Sequence, residues 1–282
     1  MQICGRHFSE AEIDWIRHQV ESEPDTNRVQ LSRMFCRHVG WYKPDGGLKE
    51  MSCRVAMLRL ERSGWIRLPA PRNKNGAVQP VRRTEKGKPG PDVHLKAGQV
   101  SLSLEPISRK TAPLFNELID RYHYLGYRRA GGAQMRFFVQ AAGERVALLG
   151  FSAAAWRVAP RDAFIGWTEE QRKTNLHQVV DNSRFLLLPW VHGKNLASRI
   201  LSHAARKLPD YWQARYRYRP VLLETFVEKQ RFAGTCYKAA NWICVGQTQG
   251  RGKWDVKKRY AQPVKTIFLY PLQRRFREVL CR

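Results

Sequence analysis

Apolar positions in the first seventy residues recur at helical spacing. Ile13, Ile16 and Val20 fall on one helical face, and Ser9 with Glu12 ahead of them has the spacing of a capping box. The turn Glu23-Pro24-Asp25-Thr26-Asn27 precedes a second helix carrying Leu31 and Phe35. After Trp41-Tyr-Lys-Pro-Asp-Gly-Gly47 the pattern predicts a third helix, roughly Lys49 to Ser63. Val55, Ala56, Leu58 and Leu60 are its apolar positions; Arg54, Arg59 and Arg62 are its basic ones. Gly64 stands where a helix is closed by a residue of positive φ. Trp65-Ile-Arg-Leu-Pro69 then reads as a short strand. Three helices and a strand over residues 1–69 make a winged helix-turn-helix pattern, with the third helix as candidate groove reader. A three-helix bundle with a solvated basic face is the structural alternative.

Regular patterning stops over residues 70–94. Pro71, Gly76, Pro80, Gly87, Pro89, Gly90 and Pro91 break it, and the segment reads as a linker. Arg72, Lys74, Arg82, Arg83, Lys86 and Lys88 face only Glu85 and Asp92 there. A basic tether of this kind suits a phosphate backbone or a minor groove; a solvated spacer would have the same composition.

Residues 95–282 read as one α/β domain. Ser108 to Tyr122 is helical in pattern. Met135–Val139 and Arg145–Phe151 pair around the turn Ala142-Gly143-Glu144. Arg184–Pro189 is a continuous apolar run typical of a buried strand. A helix from Asn195 to Lys207 follows, with Leu196, Ile200 and Ala204 inward. Strands come next at 220–226, 242–246 and 265–270. Strand, helix, strand implies a crossover and a central, partly parallel sheet.

Composition narrows the function classes. Apolar residues make up 43% of the 282 and aromatics 11%, enough for real cores, so wholesale disorder is excluded. Lys and Arg number 50 against 24 Asp and Glu, a net charge of +26. Such self-repulsion is offset by a polyanionic partner, and nucleic acid is the usual one. No apolar run approaches the ~18 residues of a membrane span, and Met1-Gln-Ile-Cys-Gly-Arg6 lacks the apolar core of a signal peptide. Cys4, Cys36, Cys53, Cys236, Cys244 and Cys281 are scattered without a C-x-x-C pair, which argues against a zinc framework or disulfide scaffold and makes a reducing cytoplasm the expected setting.

Four clusters carry candidate chemistry. Tyr122-His123-Tyr124-Leu-Gly126 offers a proton-transfer group and a phenol; a half-buried aromatic helix end is its structural alternative. Asn182-Ser-Arg184 leads the strand whose exit, Gly193-Lys194-Asn195, opens a helix; backbone amides there suit an anion, and an ordinary turn would look alike. Glu224 ends an apolar strand, so it must be paired or its pKa rises. An acid/base role or metal ligand competes there with an ion pair to an arginine. Glu228, Tyr237, Asn241 and Trp242 follow it. Gly250-Arg-Gly-Lys253 lets backbone approach a polyanion, and ten basic residues face two acidic ones from Arg251 onward, with Trp254 and Tyr260 interleaved. No Walker loop, G-x-S-x-G elbow, H-E-x-x-H or obvious three-carboxylate site occurs.

Long motifs resemble the DruA-type proteins, a family named from the Druantia anti-phage system. They include Arg33–Trp41, Met51-Ser-Cys-Arg54, Gly64–Pro69, His123-Tyr-Leu-Gly126, Gly150–Trp156, Asn182–Trp190, Asn195-Leu-Ala-Ser198 and Gly234–Trp242. Similar modules precede Tn5-like transposase domains in some mobile elements. The resemblance implies defence or mobile-element biology more than a reaction. The third domain also resembles, more distantly, the GNAT acyltransferases, above all the Mom-like DNA-modification proteins. On that mapping His123, Tyr124, Arg184, Tyr237 and Asn241 would line the cleft, with Glu224 or Glu228 in the acidic place. After Gly193 the chain has Lys194 and Asn195 where acyl-CoA loops carry a second glycine or small residue, a departure that counts against coenzyme A.

The expected fold is therefore an N-terminal winged helix, a basic linker and a GNAT-like mixed-sheet domain. The expected function is DNA binding in a defence or mobile-element context, holding or processing duplex DNA. One alternative is a Mom-like base-modifying transferase. Another is a strand-cleaving or recombining enzyme, which would need a tyrosine nucleophile or a divalent metal. The residues expected on DNA are Arg54, Arg59, Arg62, Arg82, Arg83, Lys86, Lys88, Arg184, Lys194, Arg251, Lys253, Lys257, Lys258 and Arg259; those expected in a catalytic cleft are His123, Tyr124, Glu224, Glu228, Tyr237 and Asn241. Besides DNA, other defence or transposition proteins are the expected partners, and no membrane.

Overall fold

Capping chemistry builds the first helices of the computed structural model, which describes residues 2–71, 80–96, 101–251 and 261–282. A short hairpin of β1 (Gln2–Ile3) and β2 (Arg6–His7) opens the chain. In the capping box of α1 (Glu10–Ser22), the Glu12 amide donates to Ser9 Oγ and the Ser9 amide to Glu12 Oε2, each at 3.2 Å. Asn27 Oδ1 accepts the Val29 and Gln30 amides at 3.0 and 3.1 Å and so starts α2 (Arg28–His38). Helix α3 (Glu50–Arg62) closes at Gly64, whose φ of +76° a side chain would resist. Ile16, Leu31, Phe35, Ala56 and Leu60 form the fully buried centre of this unit.

Contacts divide the chain between Gln79 and Pro80. The three expected helices are present, but the strand expected at Trp65–Pro69 is not. Side chains from the helices satisfy its backbone instead: Arg17 Nε donates to Trp65 O at 2.8 Å, Arg28 Nε to Pro69 O at 2.6 Å, and the Leu68 amide to Glu61 Oε1 at 3.0 Å. With its polar groups satisfied this way and Ile66 and Leu68 in the core, the segment needs no strand partner. No wing follows α3 among the described residues.

The second unit begins at Pro80, so the latter part of the expected linker is bound rather than free. A single 3₁₀ turn at Glu85–Gly87 lies against a helix, and β3 (Val93–Leu95) pairs with a later strand. After these come β4 (Leu102–Pro106), α4 (Ala112–Tyr122), β5 (Gln134–Ala141), β6 (Glu144–Ala153), α5 (Ala159–Ile165) and α6 (Glu169–Asn175). Then follow β7 (Val179–Leu187), β8 (Val191–Gly193), α7 (Leu196–Tyr216), β9 (Leu222–Glu228), α8 (Thr235–Ala239), β10 (Ile243–Gln247), β11 (Lys265–Pro271) and α9 (Phe276–Leu280). Seven strands form one sheet in the order β10-β11-β9-β7-β6-β5-β4. Only β7 and β9 run parallel in it, joined by α7; every other neighbour is antiparallel. A separate parallel pair, β3 with β8, pins residues 93–95 just ahead of α7.

Strand alternation assigns the faces. Phe137, Leu149 and Phe185 lie in register and meet α7 and α8, Phe137 against Tyr211 and Phe185 against Tyr237. Their neighbours Phe138, Leu148 and Leu186 face the other way, where Phe138 packs on Phe115 of α4. Val179, Leu222, Ile267 and Leu269 share a smaller core with Ile165 of α5 and Leu280 of α9.

Candidate functional site

The parallel pairing of β7 with β9 lasts three rungs, Val179–Leu222, Val180–Leu223 and Asp181–Glu224. Beyond the last rung a cavity of about 520 Å³ lies between the two strands. Asn182, Ser183 and Phe185 of β7 form one wall, and Thr225, Phe226 and Val227 of β9 the other. One lip is the end of α4, His123-Tyr124-Leu125; the opposite lip is the turn into α8, Phe232 to Tyr237. Helices α4 and α8 cover opposite faces of the sheet, and their ends meet at the mouth of this opening, where the ring centroids of Tyr124 and Phe232 lie 5.3 Å apart.

His123 ends α4, and its Nδ1 accepts the Leu125 amide at 3.2 Å. Burial, and then the charge of Arg184, pull its pKa down to about 4. The ring is therefore neutral at pH 7, with its proton on Nε2. It stacks on Tyr124 at 4.9 Å. Burial, and then the negative charge of Glu228, hold the Tyr124 phenol above its ordinary pKa. Tyr237 is buried, and its hydroxyl donates to Asn182 Oδ1 at 2.9 Å. Asn182 Nδ2 donates to Gly150 O at 3.2 Å and to Arg184 O at 3.1 Å, and Thr225 Oγ1 donates to Asn182 O at 3.0 Å. These bonds hold β7, β9 and α8 around the opening. Gly234 makes the close approach of α8 possible: at φ +69°, a Cβ there would stand 2.6 Å from the Phe268 ring.

Of the expected catalytic residues, His123, Tyr124 and Tyr237 line the cavity and the others do not. Glu224 points to the face away from α8, fully buried, where its Oε2 accepts Arg161 Nη1 at 2.8 Å and its Oε1 the Ala155 amide at 2.8 Å. Its place is a structural ion pair with a fully buried arginine, because an apolar strand tolerates a carboxylate only when it is paired. Glu228 receives Arg231 Nε at 3.0 Å. Asn241 is exposed in a left-handed turn (φ +62°) after α8, its amide donating to Lys238 O at 3.0 Å, so it shapes the turn.

Sequence reasoning passed over Asp181. It occupies the last parallel rung beside Glu224, with its Oδ1 enclosed and without a hydrogen-bond partner. Burial, and then the Glu224 charge, push its pKa well up, against Arg184, Lys265 and Arg161. The signal was an acid interrupting the apolar residues ahead of Arg184. Phe232, an exposed aromatic in the polar turn after β9, was likewise missed. Among the described residues no three His, Cys, Asp or Glu side chains gather as a metal site.

The expected DNA contacts fall in several places. Arg59 and Arg62 are exposed on α3, in line with Met51 and Val55, which are 59% and 40% exposed. Arg54 is half-buried with Nη2 against the Met51 sulfur. Arg82, Arg83, Lys86 and Lys88 are exposed on the bound segment, where Arg83 pairs with Asp120 at 3.2 Å and Lys88 with Glu85 at 2.9 Å. Arg184 is half-buried beside the cavity; Lys194 and Arg251 are exposed. Lys253, Lys257, Lys258 and Arg259 lie outside the described residues.

Fold and opening together define an α/β protein whose mixed sheet is split at its one parallel pair. A family model described as Druantia protein DruA matches residues 59–262, from within α3 almost to β11. The chain belongs to this DruA family, and membership carries the anti-phage context that the sequence motifs implied. No curated protein matches the chain. Among solved structures, an aminoglycoside acetyltransferase in complex with coenzyme A is 15% identical, with 63% of this chain and 98% of that chain covered and a TM-score of 0.41. The ribosomal-protein-S18-alanine N-acetyltransferase from Escherichia coli is 10% identical, covering 61% and 95%, with a TM-score of 0.41. An acetyltransferase of the GNAT family from Streptococcus pneumoniae is 12% identical, covering 61% and 100%, with a TM-score of 0.40.

Proposed function

We propose that the protein binds duplex DNA in anti-phage defence, and that it holds or processes the duplex through its second unit. The observation that carries this reading is the excess of 50 basic over 24 acidic residues. Part of that excess lies on the exposed face of α3, where Arg59 and Arg62 share a stripe with Met51 and Val55. A helix of 13 residues, ~20 Å long, fits a major groove, with basic side chains on phosphates and apolar ones against base edges. The exposed cations of residues 82–88 add phosphate contacts. Fluorescence anisotropy of a labelled duplex at rising salt tests the reading. Six to ten phosphate contacts predict a loss of roughly 10³–10⁵ in affinity between about 50 and 200 mM salt. Absence of binding at low salt overturns it.

The split between β7 and β9 supports a second reading, a transferase acting on a DNA base. The opening between the two strands would give a donor and an acceptor a common place to meet. His123, neutral and carrying its proton on Nε2, would orient the acceptor. An anionic donor group fits the start of α7: Lys194 precedes it, no acid lies in its first turn, and no side chain caps it. Asn195 there takes φ +58°, the left-handed conformation that a second glycine would supply. A donor-dependent mass increase in nucleosides from treated DNA would support transfer; unchanged masses with acyl-CoA donors overturn it.

A further inference from the structure

We propose that the cavity between β7 and β9, together with an arginine-lined hollow beside it, is a site for one nucleotide extruded from duplex DNA. The base would enter past the touching rings of Tyr124 and Phe232, stacking on the exposed Phe232, and its phosphate would lie among Arg128, Arg129 and Arg184. The proposal rests on the DNA-binding reading above and names what the second unit does with the duplex.

The mouth of the cavity is aromatic where water would favour polar groups. Phe232 is 50% exposed and Leu125 37% exposed. Tyr124 and Phe232 come from opposite lips and meet at 5.3 Å between ring centroids, inclined by 57°. Arg231 lies 5.2 Å from the Tyr124 ring centre. An exposed ring, Phe232, beside a half-buried Tyr124 backed by arginine is a surface on which an unpaired base stacks, and stacking accepts any base because every base has a π-face. The cavity of about 520 Å³ lies within the ~300–1,000 Å³ of small-molecule sites, a volume that accommodates a base. Inside, His123 Nε2 offers a donor and the Ser183 hydroxyl, whose own proton goes to Gly150 O at 3.3 Å, an acceptor for a base edge.

The hollow supplies the charge. It measures about 160 Å³, and four arginines and no carboxylate line it. Arg136 is engaged by Asn116 Oδ1 at 2.7 Å and lies over Phe115; Arg128 and Arg129 are exposed at the edge, and Arg184 is half-buried behind them with Nη1 on Ser183 O at 2.6 Å, its Nη2 and Nε left for an anion. Burial, the main cause, and repulsion from Arg128 hold the Arg184 pKa below its ordinary value. Gathering like charges here is unfavourable until an anion arrives. Ser183 lines both the hollow and the cavity, so the two are one residue apart, as a phosphate and its own base require. A duplex must open to fill such a site, and opening costs least where the base is already mispaired.

The test compares the full chain on a matched duplex and on the same duplex with one central mismatch, with permanganate reactivity of the mispaired thymine as a second readout. Binding about tenfold tighter to the mismatch, with the thymine exposed, is expected. Phe232→Ala should bring the two affinities together, and Arg128→Ala with Arg129→Ala should weaken mismatch binding more than matched binding. Equal affinities in the unaltered protein, or a preference that survives Phe232→Ala, overturn the proposal while leaving DNA binding in place. Binding of neither duplex overturns the DNA-binding reading and this one with it. A mononucleotide that occupies the cavity without any mismatch preference would make the cavity a small-molecule site and overturn extrusion.

Discussion

At His123 burial outweighs everything else. The ring's ordinary pKa is 6.5 and its folded value about 4, so as pH falls through that window the unfolded chain takes up the proton first. The native state must therefore lose stability between about pH 6.5 and 4, and any step that uses the neutral imidazole should be indifferent to pH from 5 upward. An NMR titration should place the ring's midpoint near 4. His123→Gln should flatten the fall in urea midpoint from pH 7 to pH 5, and an unchanged fall would locate the acid sensitivity elsewhere. The Arg161–Glu224 pair calls for a different expectation. Both groups are fully buried, so Arg161→Leu strands a carboxylate and should cost about 3–5 kcal/mol in chemical unfolding. Glu224→Gln keeps one acceptor and turns an amide N–H₂ toward the other donor, Arg161 or the Ala155 amide, but Arg161 retains Asp162 as a partner at 2.8 Å, so the cost should be the smaller of the two. Equal costs would mean that stranding the Glu224 carboxylate is not what makes the loss of Arg161 expensive.

Elements are tied to one another by single polar residues. Glu117 of α4 is 2% exposed, yet it accepts the Thr84 amide at 2.6 Å, Thr84 Oγ1 at 2.8 Å and Arg121 Nε at 2.9 Å. Burial pushes its pKa up, but these donors together hold it below the ordinary 4.5. The stability it contributes is present above pH ~4.5 and lost as pH falls below. Glu117→Gln should lower stability at pH 7 by about 2 kcal/mol and raise amide exchange of residues 82–88; exchange as slow as before would show that the clip is redundant. From the sequence this segment looked like a tether, because its Pro and Gly content hides contacts made by a helix thirty residues away. Where local chemistry decides, the sequence was legible: the Ser9–Glu12 box and the hairpin around Ala142-Gly143 stand as expected. Strand β7 was read from Arg184 although it begins at Val179, because Asp181, Asn182 and Ser183 interrupt the apolar run. Those same three residues sit where the sheet opens, so the break in pattern that hid the strand marked the site. Helix α7 was ended at Lys207, yet it continues through the buried Pro209 to Tyr216. Tertiary packing there outweighs the lost amide donor.

Across the whole molecule, charge is the property least dependent on detail. Replacing Arg54, Arg59 and Arg62 by alanine should lower the salt slope of duplex binding by about 0.9 for each phosphate contact removed, up to about three. An identical slope would take α3 off the DNA. The half-buried position of Arg54 makes it the weakest of the three contributors, so Arg59→Ala with Arg62→Ala should carry most of the change. The two units have separate cores, which makes the expected loss one of affinity and not of the second unit's fold. The missing side chain of Gly234 has a consequence at this scale as well. With Phe268 only 2.6 Å from where a methyl would sit, even alanine must lever α8 outward. Tyr237 rides on that helix, so the levering would pull its hydroxyl off Asn182 and leave the bond from Thr225 Oγ1 to Asn182 O to brace a wider gap between β7 and β9. One methyl group, far from any cation, would thus convert a shaped socket into a loose slot while the affinity for an intact double helix stayed as it was.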